Sequence, residues 1–163
     1  MGRLDEMIPV LAEAGKNTKS VTVSRKPFVI PGFRAGAAGC GMRYKDRPDL
    51  AMIACDLKEG CAASGVFTKN AFCAAPVEVC RERLAGRKAR AILVNAGIAN
   101  ACTGAEGKRR AQEAARMAAK ALGCPEEAVL VASTGVIGMN LVLGPVAGAV
   151  GQLVANLRLD GWE

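Results

Sequence analysis

Thirty consecutive residues, Ala128 to Leu157, carry no charge, and the segment Ser133-Thr134-Gly135-Val136-Ile137-Gly138 sits inside them. A run of that length has two ways to avoid water: it crosses a membrane, or the rest of the chain buries it. About 20 apolar residues suffice to span a bilayer. Here Ser133, Thr134, Asn140, Gln152 and Asn156, with repeated Gly and Pro, interrupt the run. It therefore reads as a buried strand over Ala128–Ala132, a loop, and a helix from Pro145 to about Leu157. No membrane span is expected. The loop is the chemically pointed part. Glycine lets the backbone turn and lets another group approach its N–H, and a threonine hydroxyl can donate a hydrogen bond. From the residues alone, Thr134 and Gly135 are either a plain strand-ending turn or a cradle for an anion or oxyanion.

Composition narrows the class. Hydrophobic residues make up 51% of the 163 residues but aromatics only 4%, so the apolar mass is small and aliphatic. With 19 glycines, this favours close backbone packing in an α/β protein, with α+β as the alternative, over a stacking surface. Residues 1–20 read as an N-terminal tail with acidic residues and no signal-peptide h-region, and 21–163 as one domain. Seven cysteines (Cys40, Cys55, Cys61, Cys73, Cys80, Cys102, Cys124) form no C-x-x-C, and the chain has no histidine. No metal site is expected. Free thiols in a reducing cytoplasm fit better than a disulfide framework, and a Ser-His-Asp or Cys-His triad is excluded within the chain. The net charge of +7 gathers in Arg81–Arg90 and Lys108–Arg110 without interleaved aromatics. Solvated helix faces explain it better than nucleic-acid binding.

Along the chain, Val21–Ser24 and Phe28–Ile30 read as short strands. Gly32–Gly41 reads as a turn or bulge region, since its glycine spacing is not that of a dinucleotide loop. Leu50–Cys55 and Ala89–Val94 are buried strands, and Ala62–Thr68 is a further strand. Ala74–Leu84 is a short helix with Pro76 in its first turn, stopped by Gly86. A polar loop, Asn95 to Gly104, then precedes a helix. Thr103 and Glu106 have capping-box spacing. Ala111, Ala114, Ala115, Ala118 and Leu122 form its apolar stripe, and Gly123 is its stop. Gly144, Gly148 and Gly151 would permit close packing of the last helix. Asn95, Asn100 and Thr103 are assigned to pinning the loop and capping the helix.

Asn95-Ala-Gly-Ile-Ala-Asn-Ala-Cys-Thr-Gly and Ser133-Thr-Gly-Val-Ile-Gly resemble the paired signatures of the ornithine acetyltransferase family, bifunctional glutamate N-acetyltransferases of arginine biosynthesis. Pro31-Gly-Phe-Arg-Ala and Ala63-Ser-Gly-Val-Phe-Thr-Lys-Asn70, followed by Ala74-Ala-Pro-Val77, match that family's earlier segments in the same order. The resemblance covers roughly Val21 to Leu141. It implies a precursor that cleaves itself before an internal threonine, the nucleophile of the resulting β chain. That threonine takes acetyl from N-acetylornithine and passes it to glutamate. Acetyl-CoA serves as donor in bifunctional members and enters as a substrate; no cofactor is implied. By the same resemblance Thr134 and Gly135 are the catalytic pair that stabilises the oxyanion, a role that suits acyl transfer. The implied partners are the remaining α segment and the β chain, in an α2β2 assembly.

The departures set the limits. The family's segment leading into Asn-Met-Ala-Thr is absent, and no threonine follows Thr134. The family's substrate-binding positions lie beyond Glu163, so no substrate-binding residue is assigned. Val142 stands where proline is usual, and Ala96 where serine is usual. The expectation is the N-terminal part of an acetyltransferase α chain, inactive alone. The alternative is a non-catalytic fragment or interaction module from a split or truncated gene.

Overall fold

The apolar runs pair into a single main sheet. The computed structural model describes residues 29–162. In chain order these form β1 (Phe33–Ala38), β2 (Leu50–Cys55), β3 (Cys61–Ala62), α1 (Ala75–Arg83), β4 (Lys88–Ala89), β5 (Ala91–Ile98), α2 (Gly104–Leu122), β6 (Val129–Val136) and α3 (Leu143–Ala155). The main sheet has the order β1-β2-β5-β6, and β3 pairs with β4 in a separate two-stranded ladder. β1–β2 and β2–β5 are antiparallel, whereas β5 and β6 run parallel. A parallel neighbour needs a crossover, and α2 supplies it. The fold is α/β in composition, as expected.

Helices cover one face. Leu50, Met52, Ala54, Leu93, Val129 and Val131 share a core with Val79 of α1, Ala111, Ala115 and Ala118 of α2, and Val146 and Leu153 of α3. The stripe on α2 is almost wholly alanine, with Ala111, Ala114, Ala115, Ala118 and Ala119 all buried. The other face carries Ala51, Ile53, Ile92, Val94, Ala96, Ala132 and Thr134, alternating with the core set along each strand. None of these is charged, and Ile92 is 37% exposed.

Several expectations change. Val21–Ser24 and the tail 1–20 lie outside the described residues, as does Phe28; Val29 and Ile30 are not in a strand. Gly32–Gly41 is not chiefly a turn, because β1 occupies Phe33–Ala38. Gly36 is there for space: a Cβ would sit 2.8 Å from the Asn156 carbonyl oxygen at the end of α3. Of the expected strand Ala62–Thr68 only Ala62 lies in a ladder, opposite Lys88 of the two-residue β4, and the Ala63 amide adds one bond to the Arg87 carbonyl before pairing stops. The capping box does not form. The Thr103 hydroxyl turns back to Asn100, and Glu106 instead accepts from Arg109 and Arg110. Those two guanidiniums hold the exposed Glu106 carboxyl at about 2. Gly123 does end α2, at φ +67.

The uncharged run is β6, a loop and α3, and no helix among the described residues is long and apolar enough to cross a membrane. Helix α3 begins two residues before Pro145, which the first turn tolerates. Gly144, Gly148 and Gly151 do not mediate helix packing: all three are exposed, and nothing lies within 4 Å of a Cβ added at any of them. Gly148→Ala should therefore raise stability by about 0.5–1 kcal/mol through the lower entropy of the unfolded chain. A thermal melt of the purified variant checks this; a lower melting temperature would contradict it.

Candidate functional site

The two polar junctions named in the sequence lie side by side, but within strands. β5 continues through Ile98 and β6 through Val136, so Asn95 pairs with Ser133, Ala96 with Thr134, Gly97 with Gly135 and Ile98 with Val136. Thr134 and Gly135 are thus in a strand, which corrects their expected place in a loop after Ala132. The reason is glycine on both partners. Gly97 and Gly135 have φ of +110° and +129°, and a Cβ on Gly135 would lie 2.2 Å from the Gly97 carbonyl carbon and 2.4 Å from its oxygen. The strands run on because Gly135 has no side chain at that contact, while the bare Gly97 leaves room for Arg43. Beyond it, the Ala99 amide donates to the Val136 carbonyl (2.9 Å) and the Gly138 amide to the Ala101 carbonyl (2.8 Å). The two segments are therefore bound together past the ladder.

Side-chain alternation sorts the residues. Ser133 faces the helices, and its hydroxyl donates to Asn95 Oδ1 at 2.6 Å. Asn95, 5% exposed, donates through Nδ2 to the Ile98 carbonyl at 2.9 Å. Thr134 points to the open face and is exposed, as is Gly135. β6 is the outer strand. The Val136 carbonyl is turned toward β5, where it accepts the Ala99 amide, and the backbone at Gly135 departs from the regular pleat with φ +129°. Thr134 and Gly135 thus lie exposed on the outer strand, at the corner where the open face of the sheet meets its free edge. A hydroxyl and a backbone N–H on neighbouring residues are donor types that can bind a carbonyl oxygen gaining negative charge. A concavity lined by Gly36, Ala37, Ala155, Asn156, Arg158 and Gly161 lies along β1, at the far edge of the sheet.

Asn100 and Thr103 serve the loop. Asn100 is fully buried with φ +50°, and its Nδ2 donates to the Gly107 carbonyl at 2.8 Å. The Thr103 hydroxyl reaches the Asn100 side-chain and backbone oxygens at 3.1 and 3.2 Å. The Asn100 carbonyl also accepts from the Ala75 amide at the start of α1 (3.2 Å). Asn100 is therefore the tie between the end of β5, α1 and α2.

Sequence reading missed Asp49. It is 2% exposed, and its carboxylate accepts the amides of Cys40 (2.6 Å) and Met42 (2.8 Å). Burial alone would raise its pKa. The hydrogen bonds from Cys40, Met42 and Arg43 outweigh that and hold it below the usual 3.8. The same carboxylate and, more strongly, burial push the Cys40 thiol up to about 11. The loop organised in this way lays Arg43 and Tyr44 against Gly97, where a Cβ would meet Arg43 Cβ at 2.8 Å. The Asp49 carbonyl meanwhile accepts the Ala96 amide at 2.9 Å. Asp49 therefore fixes the partner strand of Thr134–Gly135 from the other side. The available signal was a carboxylate directly at the entry to the apolar run Leu50–Cys55.

The ArgJ family model matches residues 34–162. The chain is 47% identical over 125 residues to the arginine biosynthesis bifunctional protein ArgJ of Bradyrhizobium diazoefficiens, covering 77% of this chain and 30% of that protein. It is 44% identical over 144 residues to the protein of the same name from Psychrobacter arcticus, covering 88% and 35%. The chain thus spans about a third of the length of the curated relatives it matches. Among solved structures, the arginine biosynthesis bifunctional protein ArgJ of Bacillus halodurans superposes with a TM-score of 0.70 at 37% identity, covering 75% of this chain and 63% of that one. The ornithine acetyltransferase of Mycobacterium tuberculosis, in complex with ornithine, gives 0.76 at 34% identity, covering 80% and 71%. The family resemblance carried by the motifs is therefore matched by sequence relatives and by fold, and the chain belongs to the ArgJ family.

Proposed function

We propose that this chain is the N-terminal portion of a glutamate N-acetyltransferase of cytoplasmic arginine biosynthesis, and that it contributes the oxyanion-binding half of the acyl-transfer site. In this reading an acetyl group moves from N-acetylornithine, or from acetyl-CoA as an alternative donor, to a threonine on another segment and then to glutamate. Attack on the acetyl carbonyl makes a tetrahedral carbon whose oxygen bears negative charge. The Thr134 hydroxyl and the Gly135 amide each donate to that oxygen, and the same pair serves again when glutamate displaces the threonine. No cofactor takes part. The nucleophile comes from the remaining α segment and β chain, so the chain alone transfers no acetyl group.

The observation that carries this reading is the exposed corner formed by Thr134 and Gly135, held rigid by the Gly97–Gly135 contact. The uncharged open face of the sheet supports it as well, being suited to receive the missing segments in an α2β2-type assembly. The test is complementation. The chain is co-expressed with a polypeptide carrying the rest of the family sequence, and transfer from N-acetylornithine to glutamate is measured. Activity is expected only in the combination. Thr134→Ala should lower it by about 10²–10³-fold while the complex still assembles. Transfer by the chain alone, or an unaffected Thr134→Ala complex, would overturn the proposal.

A further inference from the structure

A second chemical feature lies at the opposite end of β5. The ladder between β2 and the strand before β5 continues across an insertion. Ala54 pairs with Ala91, and the Cys55 amide donates to the Arg90 carbonyl at 2.9 Å. The chain leaves at Asp56–Gly60 and rejoins with Cys61 opposite Ala89 and Ala62 opposite Lys88. Cys55 and Cys61 thus face consecutive residues of one strand. Their thiols converge on one acceptor, the Ala89 carbonyl, at 3.8 Å from Cys55 Sγ and 3.6 Å from Cys61 Sγ. Gly60, with φ +81°, makes the return possible by lying directly against that carbonyl. Beside the thiols is Arg90, whose Nη1 is buried with no hydrogen-bond partner among the described residues.

We propose that Cys55 and Cys61 form a reversible disulfide, a redox-modification site that clamps the Asp56–Gly60 loop. Both cysteines are free in the structure. Disulfide formation requires two thiols brought close with side chains turned toward each other, and here the two thiols lie within hydrogen-bonding reach of each other as well as sharing one carbonyl acceptor. The oxidant is a low-molecular-weight disulfide. Cys61 is less buried than Cys55 and attacks first. Its thiol gives up a proton, its thiolate bonds to one sulfur of the oxidant, and the other sulfur leaves as a thiolate. Cys55 then loses its proton and attacks Cys61 Sγ, breaking the mixed disulfide and releasing the second thiolate. Two electrons pass to the oxidant, which takes up two protons to become two thiols. The nearby Arg90 guanidinium favours the thiolate of Cys61 electrostatically. Burial works against it and raises the thiol above its usual value of 9.0, so the exchange accelerates with rising pH through neutrality.

Trypsin reads the outcome directly. Cleavage after Lys45, Lys58 and Lys69 separates Cys55 in residues 46–58 from Cys61 in residues 59–69, one cysteine in each. The whole chain is incubated with oxidised glutathione, its remaining thiols are blocked, and it is digested without reductant. The expected product is a single species joining 46–58 to 59–69, which dithiothreitol splits into its two peptides. It should form about tenfold faster at pH 8 than at pH 7 and persist in Cys124→Ser. Cys124 is the competing neighbour, since it lies close enough to Cys55 and Arg90 to feel both. Linkage of 46–58 to the peptide bearing Cys124, or only separate glutathione adducts at Cys55 and Cys61, would overturn the proposal.

Discussion

Gly135→Ala is expected to destabilise the chain by roughly 3 kcal/mol, from overpacking and from the strained backbone together. The new methyl would sit 2.2 Å from the Gly97 carbonyl carbon and 2.6 Å from the Ile98 amide nitrogen. These are backbone atoms of the paired strand, so no side chain can swing aside. Relief requires β5 and β6 to separate, which breaks the ladder from Ala96–Thr134 onward. At φ +129°, alanine is strained even without the clash. In a chain of this size, 3 kcal/mol corresponds to a melting temperature about 10 °C lower. Gly138→Ala is the matched control. It also has positive φ, but nothing lies within 4 Å of its added Cβ, so only the backbone cost of about 1 kcal/mol remains. Equal melting temperatures for the two variants would show that the close approach of Gly97 and Gly135 is not what limits the site.

Asp49→Asn should cost about 3 kcal/mol, because it replaces an acceptor-only carboxylate by a group that presents an NH2 to one of the amides it formerly bound. The native carboxylate satisfies Cys40, Met42 and Arg43, and an amide oxygen cannot serve all three. The pH dependence carries the signature. The Asp49 pKa is lower folded than unfolded, so its contribution to stability is complete above the unfolded value near 3.8. It is lost as pH falls through the depressed native value. The gap between native protein and Asp49→Asn should therefore be constant above about pH 5 and shrink below pH 4. Denaturant titrations at a series of pH values measure that gap directly. A gap that widens with acid would mean that the carboxylate is not held ionised by these amides. In the complemented enzyme, the variant should also lose activity. Release of Arg43 and Tyr44 from Gly97 loosens the strand against which Gly135 is set.

The elements with strong periodicity or clean apolar runs were legible: β2 at Leu50–Cys55, α1, α2 with its Gly123 stop, and the division of the uncharged run into strand, loop and helix. The misreadings share one cause. Glycine was taken as punctuation at Gly36, Gly97 and Gly135, and at each of these positions it marks a place where another segment comes too near for a Cβ, a backbone at Gly36 and Gly135 and the Arg43 side chain at Gly97. That information depends on a partner segment distant in sequence, so local patterning does not contain it. The glycines of α3 fail in the reverse sense, being read as packing positions when they face open space. At the site, Thr134 and Gly135 were found by residue type and motif. Their setting at an exposed corner, and the part played by Asp49, required knowing which strand lies outermost and which loop covers Gly97.

The alanine stripe of α2 has a consequence for how this sequence can vary. Ala115 and Ala118 are 0% exposed, and Ala111 1%, so the helix backbone rides as near the sheet as any side chain except glycine allows. Substitution there is one-directional. Any larger residue must lift the whole helix and costs about 1–3 kcal/mol, whereas glycine costs close to 1 through helix propensity. Drift by compensating pairs, in which one residue grows as its neighbour shrinks, is closed off on the helix side because its residues have nothing left to give up. Accepted change along this interface must come from Leu50, Leu93 and Val131 across the gap, leaving α2 a fixed mould against which the sheet varies.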